Sequence, residues 1–131
     1  SKSNLKYLIM SELLLRPGEW QSTNACVAYS FFASVGILFG LSQKHKDFIQ
    51  KVYDSVFYSK PAQGSIEYQM LESLGRLPLT YVVNEMKSFS TIQKKQVKIW
   101  YEEVLALEPQ MEINPFLSMM LQQVNPIINN F

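Results

Sequence analysis

Residues 20–43 read WQSTNACVAYSFFASVGILFGLSQ, 24 positions without an Asp, Glu, Lys or Arg. Their centre, Ala25 to Leu41, is apolar apart from Tyr29, Ser30, Ser34, Gly36 and Gly40. Such a run must be hidden from water, so it decides how everything around it is arranged. Two hiding places compete. Seventeen residues in a helix reach about 26 Å, slightly short of the ~30 Å hydrocarbon core of a bilayer. Lys44-His45-Lys46 could flank a span on its cytoplasmic side, and Gly36 to Gly40 matches the small-residue pairing pattern of membrane helices. The alternative is the centre of a helical bundle. Every other helical segment of the chain has one apolar and one polar face, and each needs a surface to cover. One all-apolar helix ringed by the others meets that need, whereas a single membrane span leaves them without a centre. The expectation is therefore an all-α, single-domain bundle over 1–131, about six helices around a central helix spanning about 23–41, with a membrane span unlikely.

The surrounding helices are marked by spacing and caps. Leu5, Leu8, Ile9 and Leu13 share a side of a first helix over 4–15, which Pro17-Gly18 stops. Ser22, Thr23 and Asn24 are all N-cap types for the uncharged helix. Ser42 can cap a third helix reaching about Ser59, with Phe48, Ile49, Val52, Val56 and Phe57 inside and an Asp47–Lys51 pair outside. Pro61-Ala62-Gln63-Gly64 is a loop. Ser65 starts a short helix ending at Gly75, and another runs from about Leu79 to Lys87. Ser90 and Gln93 have capping-box spacing for a helix over 91–108. Its inner stripe is Val97, Trp100, Tyr101, Val104 and Leu105, and Lys98 and Glu102 pair on its wet side. Asn114-Pro115 opens a last helix expected to stop near Val124, before Pro126. That leaves an apolar tail over 125–131.

Leu13-Leu14-Leu15 to Trp20, and Val104-Leu105 to Met111, both pass from an apolar helix through a proline-containing break into another apolar segment. This layout resembles the paired helix–loop–helix arrangement of TerB-like tellurite-resistance domains. The loops of those domains carry acidic residues and glycine, where this chain has Arg16-Pro17-Gly18 and Glu108-Pro109-Gln110. No site residue therefore carries over.

Chemistry is sparse. A net charge of +1 makes nucleic acid an unlikely partner, because phosphate neutralisation needs a clear basic excess. Lys94, Lys95 and Lys98 lie across the helix from Trp100 and Tyr101, which reads as a solvated face over a buried stripe. Cys26 is the only cysteine and His45 the only histidine, so neither an intrachain disulfide nor a zinc site is expected, and no cofactor is implied. A lone cysteine suits the cytoplasm. No leader is evident: Ser11 and Glu12 interrupt the apolar stretch near the start. Nucleophilic catalysis would depend on His45 as base, and its place at the start of an apolar face reads as structural. The acidic residues Glu102 and Glu103 diverge by about 100° around their helix, so they do not pair for acid–base work.

Two features point to binding. Tyr53, Tyr58 and Tyr68 sit near helix edges, and tyrosine is enriched at interfaces. Met119, Met120, Ile127, Ile128 and Phe131 form an apolar C-terminal group that must either fold back or dock on another chain. The expected function is a non-enzymatic helical interaction or scaffold module with a protein partner or a second copy of itself. The alternative is a carrier of an apolar small molecule or lipid, held near the small-residue track Ser30, Ala33, Gly36 and Gly40.

Overall fold

The computed structural model describes residues 20, 22–40, 42–57, 63–107 and 115–131. The expected helix over 4–15, its Pro17-Gly18 stop, Leu41, Tyr58, Pro61-Ala62, the Glu108-Pro109-Gln110 break and Asn114 lie outside the described residues. The protein is all-α, with no strand among those residues: α1 (Ser22–Leu38), α2 (Gln43–Val56), α3 (Ile66–Leu74), α4 (Leu79–Glu85), a single 3-10 turn (Met86–Ser88), α5 (Thr91–Ala106) and α6 (Pro115–Asn129). No helix among them is long and apolar enough to cross a membrane.

The uncharged segment is α1, and it is the hub. It packs against α2, α3, α4, the 3-10 turn and α5, while α6 packs on α4 and α5. Its bulky positions Phe31, Phe32 and Val35 are wholly buried. The rings form a continuous ladder. Trp20 stacks on Trp100 (6.1 Å between centroids), Trp100 meets the edge of Phe32 (5.7 Å), and Phe32 meets Phe48 (5.7 Å). Phe31 touches both Phe32 and Tyr101. Edge-to-face rings add about 0.5–1.5 kcal/mol per pair beyond their burial, so this ladder joins α5, α1 and α2 into one core.

Each expected cap that lies within the described residues can be tested by its hydrogen bonds. Ser42 Oγ accepts from the His45 amide (3.3 Å) at the start of α2, and Ser65 Oγ accepts from the Tyr68 amide (3.1 Å) at α3. At α5 the Ser90 side chain accepts from the Gln93 amide (3.2 Å) and Gln93 Oε1 accepts from the Ser90 amide (3.1 Å). The same Gln93 oxygen also accepts from the Asn24 side chain (3.1 Å). The box that starts α5 therefore also fastens it to α1. Asn24 is not an N-cap: α1 begins at Ser22, and the Asn24 amide is used across the bundle instead.

Three expectations about element ends and pairs are corrected. α1 stops at Leu38, not near 41, because Gly40 adopts φ +91°, a left-handed conformation that ends a helix and that glycine alone takes without strain. α2 ends at Val56, where Phe57 turns extended. The charged pairs are rearranged. Lys51 Nζ reaches both oxygens of Glu103 on α5 (2.8 and 3.0 Å) in place of Asp47, and Lys98 Nζ donates to the Asn129 carbonyl at the end of α6 (3.3 Å) in place of Glu102. Long side chains choose the partner that tertiary packing brings close over a neighbour along their own helix, where a pair is worth only about 0.3–0.5 kcal/mol.

The largest correction concerns α6. It does not stop before Pro126 but runs through it to Asn129. The residues expected as an apolar tail beyond the helix form its last turn, and of the two outcomes expected for them Ile128 takes the first, folded back and wholly buried in the core.

Candidate functional site

The C-terminal helix gathers most of the residues with binding character. Successive residues turn by about 100°, and Leu117, Leu121, Val124 and Ile128 accordingly line one stripe, all of it inside the core. Ile128 thus leaves the candidate surface: it is fully buried, packed back on the domain, and cannot reach a partner. Beside this inner stripe runs a second one. Phe116 is 56% exposed and Met119 48% exposed, Met120 and Ile127 are half-buried, and Gln123 is exposed. Phe116, Met120, Gln123 and Ile127 succeed one another at intervals of four, three and four residues, the spacing of a seam that another helix can occupy.

The opposite flank of α6 is taken by α5. The Tyr101 hydroxyl donates to Asn125 Oδ1, and Lys98 holds the Asn129 carbonyl. Phe131 folds over the same side, half-buried, with the Lys94 ammonium 5.8 Å from its ring centre. The lysines expected as a purely wet face are therefore partly used to seat the chain beyond Pro126. Phe131 belongs to this contact and not to the Phe116–Ile127 seam.

Burial of Tyr101 pushes its hydroxyl pKa up to about 12 from the ordinary 10. Burial acts the same way on Tyr29, and on Tyr53 together with the nearby Tyr29 and Asp54. The neutral phenol is the form that the fold accommodates. The stability it contributes is complete below pH 10 and is lost as the pH rises from 10 towards about 12, because the unfolded chain ionises first. Ultraviolet titration of the tyrosines should show a late-ionising group that disappears in Tyr101→Phe. If the two titrations coincide, Tyr101 is not buried as described.

The small-residue track divides. Ser30 and Gly36 are buried and Ala33 is half-buried on α1, all within the bundle. Gly40 is not part of it. It lies exposed in the turn after α1, and a Cβ there would meet nothing within 4 Å. Backbone conformation, and not a close neighbour, requires glycine at that point.

His45 is wholly buried and stacks on Phe39 (5.2 Å, 12° between planes). Its Nδ1 lies 2.6 Å from Ser42 Oγ, the same oxygen that accepts from the His45 amide. One hydroxyl thus serves both as the cap of α2 and as the hydrogen-bond partner of the imidazole. This arrangement locks the corner between α1 and α2; the serine oxygen is engaged by the helix and the imidazole is inside the core. Among the described residues no group of three or more His, Cys, Asp or Glu side chains is placed to hold a metal ion. Cys26 is buried on α1. Tyr53 is half-buried against Tyr29 (5.3 Å) and Phe57 (4.8 Å), and Tyr68 is half-buried on α3.

Sequence reading missed Phe116 and Gln123 as surface residues. The signal was the four-three-four spacing, which is visible only when the helix is carried past Pro126 to include Ile127. No protein-family model, curated protein or solved structure matches the chain.

Proposed function

We propose that this protein is a non-enzymatic helical interaction module, acting in the cytoplasm, whose contact surface is the outer seam of α6: Phe116, Met119, Met120, Gln123 and Ile127. The observation that carries this reading is the exposure of Phe116 and Met119 on a helix whose core-facing stripe is already satisfied. About half of each side chain is still exposed, so covering it against a partner is worth about half of the 1.5–3 kcal/mol of full burial, roughly 0.8–1.5 kcal/mol each. Half-buried Met120 and Ile127 extend the apolar strip without depending on the partner for their own cover. Methionine adapts its shape to what it meets, which suits a helix laid into the seam.

The test is a benzophenone side chain introduced in place of Met119, photolysed in cells that naturally make the protein. A specific protein adduct is expected at position 119 and none when the same group replaces Glu102, exposed on α5. Equal labelling from both positions, or none from either, would remove the interaction reading.

A further inference from the structure

We infer that the last turn of α6 is a latch held by charge: it stays docked while Lys94 and Lys98 of α5 are ammonium ions and is released when they are neutralised. Three observations carry this. First, the turn is weakly joined to the helix before it. Pro126 brings no amide proton to the carbonyl of Gln122, and its ring crowds that carbonyl. Beyond it the amides of Asn130 and Phe131 reach back only three residues, to the carbonyls of Ile127 (3.3 Å) and Ile128 (3.0 Å), the tighter pattern of a helix end. Second, the turn has no cation of its own. The C-terminal end of a helix is electrically negative and favours a positive side chain, yet the last turn of α6 holds no basic residue. The compensating charge comes from α5. Lys98 Nζ donates to the Asn129 carbonyl (3.3 Å), and Lys94 Nζ lies 5.8 Å from the ring centre of Phe131.

Third, the remaining hold is one wholly buried side chain. Ile128 is in the core, whereas Asn129 and Asn130 are exposed and Ile127 and Phe131 are half-buried. A turn weakened by proline and secured by one apolar anchor lies close to balance, so two charge-dependent contacts decide its population. Acyl transfer to the lysine amines supplies the neutralisation. The free amine attacks the carbonyl carbon of a thioester. The N–C bond forms, the C–S bond breaks, the thiolate leaves with the proton that the nitrogen sheds, and the ammonium's own proton goes to solvent. The amide that results keeps one N–H but carries no charge for the helix end or the ring. Ile127, the last residue of the seam, lies in the same turn. The latch therefore sets whether the seam reaches Ile127 or ends at Gln123; that consequence rests on the interaction reading above, whereas the latch itself does not.

The experiment is amide hydrogen exchange on the full chain. In the double variant Lys94→Gln, Lys98→Gln the amides of Ile127 to Asn130 should exchange about tenfold faster, since each lysine contact is worth a factor of several. Those of Leu117 to Leu121 should keep their wild-type rates. The double variant Lys94→Arg, Lys98→Arg retains both charges and should retain the protection of the last turn. Acetyl-lysine installed at position 98 alone should speed exchange in the same turn severalfold. Wild-type rates in the glutamine pair overturn the latch. So does an arginine pair that exchanges as fast as the glutamine pair, because side-chain shape and not charge would then hold the turn. Faster exchange spread over the whole of α6 also overturns it, since the helix would be opening as one unit. No partner enters the measurement, so its outcome is separate from the cross-linking at position 119.

Discussion

Phe32→Ala should lower the stability of the domain by about 3–5 kcal/mol, the range for removing a fully buried phenylalanine ring. Phe32 has no exposed surface and is in ring contact with Phe31 on its own helix, Phe48 on α2 and Trp100 on α5. Its loss breaks the ladder in the middle. Trp20 and Trp100 keep each other but lose their connection to Phe48. The cavity is lined by aromatic rings held on three different helices, so it cannot close by a shift of one side chain. Domains of this size have about 5–15 kcal/mol in total, so the variant should sit near the edge of folding, with a melting temperature lower by roughly 10–20 °C. Ile37→Ala, five residues along the same helix, is the control. Ile37 is 61% exposed, and its truncation should change stability by less than about 0.5 kcal/mol. Urea melts of both variants decide the matter. A loss below about 1 kcal/mol at Phe32 would mean that α1 is not the hub of the core.

How much of the fold was legible beforehand depends on where the controlling physics is local. The uncharged run, expected as a helix over about 23–41 and found over 22–38, and the Ser90–Gln93 box could be read because hydrophobicity and capping act within a few residues. The stripe Val97, Trp100, Tyr101, Val104 and Leu105 was legible for the same reason: the first four are buried and Leu105 is half-buried against the core. The pairing of charges was not. Lys51 had Asp47 four residues away but reaches Glu103, fifty-two residues on, once α2 and α5 lie side by side. Nor was the role of Gly40, because a glycine that fits a close-packing pattern looks the same in sequence as one that ends a helix. Its φ of +91° separates the two. The candidate surface was half legible. Met119, Met120 and Ile127 could be named from composition. Assigning Ile128 inward, Ile127 outward and Phe131 to α5 required knowing that the helix continues.

Pro126→Ala is therefore the most informative change in α6, and it should stabilise the protein by about 2–2.6 kcal/mol. A proline inside a helix costs about 3 kcal/mol, through a lost amide donor and a ring that crowds the carbonyl four residues earlier. Alanine restores the donor, and Pro126 is exposed, so no packing is lost. Part of the gain is given back because the unfolded chain becomes freer, by about 0.4–1 kcal/mol. The wild type tolerates the proline because the turn beyond it is held independently. Ile128 is wholly buried, a contribution of about 1.5–3 kcal/mol, comparable to the proline cost. Lys98 donates to the Asn129 carbonyl and Lys94 covers Phe131. The two sides nearly balance, which explains why sequence reading ended the helix at the proline while the structure carries it on. Ile128→Ala should tip that balance the other way. In it the amides of Ile127 to Asn130 should exchange with solvent much faster, while those of Leu117 to Leu121 keep their protection. Combining the two substitutions should restore the protection of the last turn, since alanine at 126 removes what the isoleucine was offsetting. A lower melting temperature in Pro126→Ala would show that the ring itself, and not the residues beyond it, sets the path of the chain into the core.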